Sequence, residues 1–151
     1  LKFRFDVAEA GRLGIEMRPS DFTTKQLAFA QQAVEDYKRL RPVIQLGDLY
    51  RLLSPYEQGG VAASHMYVSA DKGKAVVYAY KLKHFVGHTV PPIRMQGLDP
   101  NRSYRIKELN KVGNSITADG RLISGKVLME AGLALALDNE YASRMVELTA
   151  E

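Results

Sequence analysis

A chain of 151 residues holds one ordinary domain, or a small domain with part of another, and has no room for a complete (β/α)₈ barrel of about 250 residues. Hydrophobic residues at 46% and charged residues at 25% are the proportions of a globular fold, and no apolar run approaches the roughly 20 residues of a membrane helix. The absence of cysteine excludes disulfides and thiolate chemistry, and a net charge of +4, concentrated in residues 61–110, is too modest to imply a polyanion partner.

The chain begins at Leu1 inside a patterned segment, as a processed product or a cut fragment would. Leu1-Lys-Phe-Arg-Phe-Asp is too charged for the apolar core of a signal peptide. Phe3, Phe5 and Val7 alternate with Arg4 and Asp6, a strand pattern, and residues 13–17 offer a second short strand. Thr23 followed by Gln26 spells a capping box, with Phe22 and Leu27 at the positions of a hydrophobic staple. A helix over about 24–41 follows, its apolar stripe made by Leu27, Ala30, Val34, Tyr37 and Leu40 and its end set by Pro42. A helix cannot bury its own stripe, so a packing partner is required.

Beyond Gly47 the pattern changes to strands, predicted at 49–54, 61–69, 74–82, 85–94, 104–109, 121–123, 133–137 and 145–148. Asp71-Lys-Gly73 is a hairpin turn. Residues 74–82 place Val76, Tyr78, Tyr80 and Leu82 on one face, and Ala75, Val77, Ala79 and Lys81 on the other. Pro91-Pro92 confines the 85–94 segment to a sheet edge or a loop. Short strands separated by turns every 8–12 residues predict a mainly β fold, an antiparallel sandwich of two sheets. The Gln45-Leu-Gly47-Asp48 segment is the predicted boundary between residues 1–47 and 48–151.

Four motifs stand in a fixed order. Gly11-Arg-Leu-Gly-Ile-Glu precedes the helix, which ends in Tyr37-Lys-x-x-Arg-Pro. Gly47-Asp-Leu-Tyr-Arg-Leu-Leu-Ser-Pro55 and Gly97-Leu-Asp-Pro-Asn-Arg-Ser-Tyr-Arg-Ile106 come after it. Together they resemble the C-terminal part of bacterial α-galactosidases of glycoside hydrolase family 36, over about residues 3–148. The resemblance implies that residues 1–47 carry the last strand and helix of a truncated catalytic barrel, and residues 48–151 its antiparallel β-sandwich. It implies a retaining exo-acting hydrolase of terminal α-galactosyl groups, with no cofactor, and self-association of the kind common in the family. The partner of this piece would be the rest of its own barrel, and substrate would bind only in the intact enzyme, in bacterial cytoplasm or periplasm.

Retaining glycosidases need two carboxylates about 5 Å apart. The family carries its nucleophile in Lys-Trp-Asp, and this chain has no tryptophan. The family's acid/base sits in Ser-Asp; Ser20-Asp21 matches two letters but stands at a helix entry, where an acidic residue favours the helix N-terminus. Glu16 reads as a strand-end structural residue. No catalytic, cofactor or metal residue is therefore assigned, both catalytic groups are expected upstream of Leu1, and the chain alone is expected to be inactive.

Other chemistries have less behind them. His65, His84 and His88 lack a completing ligand set, because His84 and His88, four apart, converge on a helix and not on a strand. No nucleophile elbow is present. The alternative is a stand-alone carbohydrate-binding module, for which Tyr56 and Tyr67 are the exposed platforms, since Tyr78 and Tyr80 share a core face. A nucleic-acid surface would need Lys72, Lys74, Lys81, Lys83, Arg102, Arg105 and Lys107 on one sheet, and neither nucleic acid nor membrane is expected as a partner.

Overall fold

The computed structural model describes residues 1–84 and 89–151. Helix α1 spans Lys2–Glu9 and helix α2 Thr24–Leu46. The strands are β1 Asp48–Leu53, β2 Ala62–Val68, β3 Lys74–Lys81, β4 Ser103–Leu109, β5 Leu122–Ser124 and β6 Ser143–Ala150, with a short helix α3, Gly125–Glu130, before β6. The strands form one antiparallel sheet in the order β1-β2-β3-β6-β4-β5.

The mainly β, antiparallel architecture is the predicted one, and the second layer is built differently from a second sheet. Among the described residues it consists of α3 and extended segments, joined at a single bridge between Ile93 and Leu133. Leu133, Leu135 and Leu137 do point inward while Ala134 and Ala136 face out. The positive φ of Ala136 (46°) breaks the run before it can extend a ladder. The predicted strand at 85–94 falls partly on residues 85–88, outside the described residues.

Central β3 shows why the sheet has two buried faces. Val77 and Ala79 pack with Met66, Ile106, Leu128 and Leu148 under the extended segments. Val76, Tyr78 and Tyr80 pack with Leu40, Val43 and Ile44 of α2. At the β2–β3 turn, Asp71 accepts from the Gly73 amide (2.9 Å) and Ser69 receives the Lys72 amide at its carbonyl (2.8 Å), with Lys72 in the left-handed region at φ 55°.

Before the sheet, the two predicted strands and the predicted helix end at Pro42 need correction. Phe3, Phe5 and Val7 lie on a helix, not a strand; its inward residues are Phe5, Asp6 and Glu9, at i, i+1 and i+4, and Val7 is half exposed. Two of the three are acidic, so hydrophobicity alone does not reveal the face. Residues 13–17 are irregular. The Thr23–Gln26 capping box forms as predicted, with both reciprocal bonds present. The helix then runs through Pro42 to Leu46. A proline inside a helix costs about 3 kcal/mol. Burying Val43 and Ile44, at roughly 1.5–3 kcal/mol each, offsets that cost. Of the predicted stripe, Ala30, Tyr37 and Leu40 are buried, whereas Leu27 is exposed and Val34 half-buried.

Candidate functional site

Tyrosine hydroxyls from α2, β2 and β3 converge on the C-terminal half of α1 and the two residues that follow it. Tyr80 donates to the Asp6 carbonyl (2.9 Å), Tyr78 to that of Glu9 (3.1 Å), Tyr67 to that of Ala10 (2.7 Å) and Tyr37 to that of Gly11 (2.8 Å). The last carbonyls of a helix have no partner within it. Here the sheet and α2 supply the donors, which fixes α1 across the tyrosine face. Burial raises the Tyr78 and Tyr80 hydroxyls well above the ordinary phenol range, and the nearby Glu9 and Asp6 carboxylates add to it, so both remain donors.

Beside this clamp lies a buried polar cluster. The Asp6 carboxylate accepts from Lys2 Nζ (2.7 Å), Ser143 Oγ (2.6 Å) and Asn110 Nδ2 (2.8 Å). The same Asn110 amide reaches Glu9 Oε1 at 3.1 Å, while Glu9 Oε2 is buried with no hydrogen-bond partner among the described residues. Burial raises the Glu9 pKa to about 8, with the Asp6 charge adding and the Asn110 bond and Lys2 opposing. Two carboxyls are thus brought together, but both are sealed from solvent (0% exposed) and hold secondary structure. A sugar could not reach them.

A second polar joint ties α2 to the sheet. Arg39 makes a bidentate pair with Glu147 of β6 (2.5 and 2.8 Å) and also bonds Asp36 (2.8 Å). Burial works against Asp36 ionisation, but its bonds from Arg39 and Gln32 hold its pKa below the ordinary value.

The other side of the helices is open and apolar. A recess of about 550 Å³ lies among Leu1, Phe5, Leu13, Ile15, Met17 and Phe22, with Arg4, Arg12 and Glu16 also lining it, and a more apolar one of about 540 Å³ lies between Ile15, Phe22, Leu27 and Val34. Ile15, Met17 and Leu27 are 45%, 40% and 37% exposed. Adjoining recesses of this size with exposed apolar side chains on one side are the kind of surface that marks a contact.

The residues considered from the sequence are scattered. Ser20 and Asp21 sit together in an exposed turn, and Glu16 is exposed on the rim of the first recess. His65 stacks on Tyr78 (5.3 Å, 20°), and burial, with Arg51 nearby, lowers its pKa. His84 is exposed, and His88 lies outside the described residues. Among the described residues, no group of three or more His, Cys, Asp or Glu side chains converges. Tyr56 is 95% exposed, whereas Tyr67 is half-buried in the clamp. The basic residues form no single surface: Lys81 is buried, Arg102 bonds the Asp71 carbonyl, and Arg105 pairs with Glu151.

Against known proteins, residues 62–148 match the model of the glycosyl hydrolase family 36 C-terminal domain. The chain belongs to glycoside hydrolase family 36. It is 34% identical over 151 residues to α-galactosidase AgaA of Geobacillus stearothermophilus, covering 99% of this chain and 19% of that protein. It is likewise 34% identical over 150 residues to α-galactosidase C of Emericella nidulans, covering 98% of the chain and 18% of the relative. The crystal structure of the family 36 α-galactosidase AgaB from Geobacillus stearothermophilus superposes with a TM-score of 0.83 at 33% identity, over 98% of this chain and 19% of that one. This chain therefore spans about a fifth of the length of these relatives, and its β-rich domain is the C-terminal domain of their family.

Proposed function

We propose that this chain is the C-terminal region of a retaining exo-α-galactosidase, with residues 1–47 the tail of the catalytic barrel and residues 48–151 the domain that braces it. The observation that carries this reading is the open apolar side of α1, α2 and residues 13–22, in a chain that covers 19% of AgaA. In a barrel that side would be covered by the neighbouring strands and helices, while the tyrosine clamp holds the opposite side to the sheet. The two catalytic carboxylates, about 5 Å apart in retaining enzymes, would be supplied upstream. The role of this region is to seat the last helices so that the barrel closes. Galactoside chemistry takes place elsewhere in the intact protein and needs no cofactor.

The test compares this chain with the same chain joined to the protein segment encoded upstream of it. Hydrolysis of p-nitrophenyl α-galactoside is expected only from the joined protein. Hydrolysis by the 151-residue chain alone, or an upstream frame without Lys-Trp-Asp and Ser-Asp, would overturn the proposal.

A further inference from the structure

A groove of about 240 Å³ runs between the start of α1 and the loop that leads into β6. Its prominent side chain is Tyr141, 64% exposed although it is a large aromatic. Tyr141 also holds a positive φ of 59°, a costly conformation for a bulky residue. The loop is not free to relax, because the Tyr141 amide donates to the Lys81 carbonyl (2.9 Å) and the Ala142 amide to that of Asn139 (3.0 Å). The ring is propped edge-on by Phe3 (5.6 Å, 78°), which is itself propped by Tyr80 (5.8 Å, 74°). The result is an aromatic ring held by its neighbours and largely exposed.

The polar groups around it divide into spent and unspent. Lys2 is paired with Asp6, and Arg144 with Glu108 and the carbonyls of Leu135, Asn114 and Ala136. The Asp138 carboxylate and the Asn139 amide, on exposed residues lining the groove, have no hydrogen-bond partner among the described residues. A rigid aromatic plane beside one free carboxylate and one free amide is the chemistry that recognises a pyranose: C–H groups stack on the ring, and vicinal hydroxyls donate to the carboxylate.

We infer that the Tyr141 groove is a binding site for a single galactosyl unit. The choice of galactose rests on the α-galactosidase reading. Galactose suits the ring because its axial O4 leaves the hydrogens of C3, C4 and C5 together on one apolar face.

The test is saturation-transfer NMR on the 151-residue chain with methyl α-galactoside and methyl α-glucoside. Transfer to H3, H4 and H5 of the galactoside is expected, with the glucoside weaker. Tyr141→Gly, which relieves the backbone while removing the ring, and Asp138→Ala should each weaken binding on the order of tenfold. Tyr56→Ala, at an exposed tyrosine elsewhere, should leave it unchanged. No transfer, transfer unaltered in both groove variants, or equal transfer to the glucoside would overturn the inference. Activity of the joined protein without transfer would sink the groove site alone. Transfer in a chain whose joined form is inactive would sink the enzyme reading alone.

Discussion

The two faces of the sheet are held by the same forces in different proportions. Toward the extended segments, Met66, Val77, Ile106, Leu128 and Leu148 form an apolar layer, with one ion pair, Arg144 to the buried Glu108, beside it. Toward the helices, the apolar contacts of Leu40, Val43 and Ile44 are interleaved with tyrosine hydroxyls, two buried carboxyls and an arginine fork. Dispersion packing tolerates small shifts but is insensitive to pH. Directional bonds fix one helix placement and make it sensitive to protonation. A sheet that must keep its own core and also seat helices in a defined position has a use for both.

Deleting from the apolar face tests the first half of this contrast. Ile106→Ala, at a fully buried position, is expected to lower unfolding free energy by about 2–5 kcal/mol in urea titrations, with no dependence on pH between 5 and 8. On the helix face, Arg39→Ala strands the buried Glu147. It should cost about 2–3 kcal/mol by the same measurement, less than a fully buried pair because Arg39 is 39% exposed.

Glu9 sharpens the contrast through pH. Its pKa lies near 8 in the folded chain against an ordinary 4.5, so between these values the folded state binds the extra proton. Stability must then fall as pH rises through this window. Glu9→Gln, which stays neutral, should flatten the profile and stabilise the chain at pH 8 by about 1–3 kcal/mol, with little gain at pH 5. A wild-type profile that is flat from pH 5 to 8 would contradict the buried, half-satisfied geometry of this carboxyl. The smallest effect is expected from Tyr80→Phe, about 1 kcal/mol, read as faster amide exchange confined to α1.

The same contrast explains what could be read from the sequence. Alternation in residues 74–82 gives β3 and the facing of each of its side chains, because a period of two is enforced on both buried faces. The capping box at Thr23 is equally local and legible. Helix α1 is not, since its inward face is written partly in Asp6 and Glu9, whose burial depends on Asn110 and Ser143 more than a hundred positions away. The clamp is hidden for a related reason: Tyr78 and Tyr80 read correctly as core residues, but the carbonyls they serve lie 69 and 74 positions earlier. Pro42 reads as a helix end until the burial of Val43 and Ile44 is known. The apolar recesses have a faint signal in Leu27 and Val34, whose stripe is wider than the sheet covers.

The tyrosine hydroxyls meet main-chain oxygens, and that choice of partner has a consequence for how the sequence can drift. A socket that grips carbonyls is indifferent to the letters it grips. Ala10 and Gly11 can change without losing a bond, and a Cβ added at Gly11 would meet nothing within 4 Å. Substitutions here can therefore reshape the outward side of the turn while its anchorage stays the same. The tyrosines of the socket, each needed for its hydroxyl, have no such latitude.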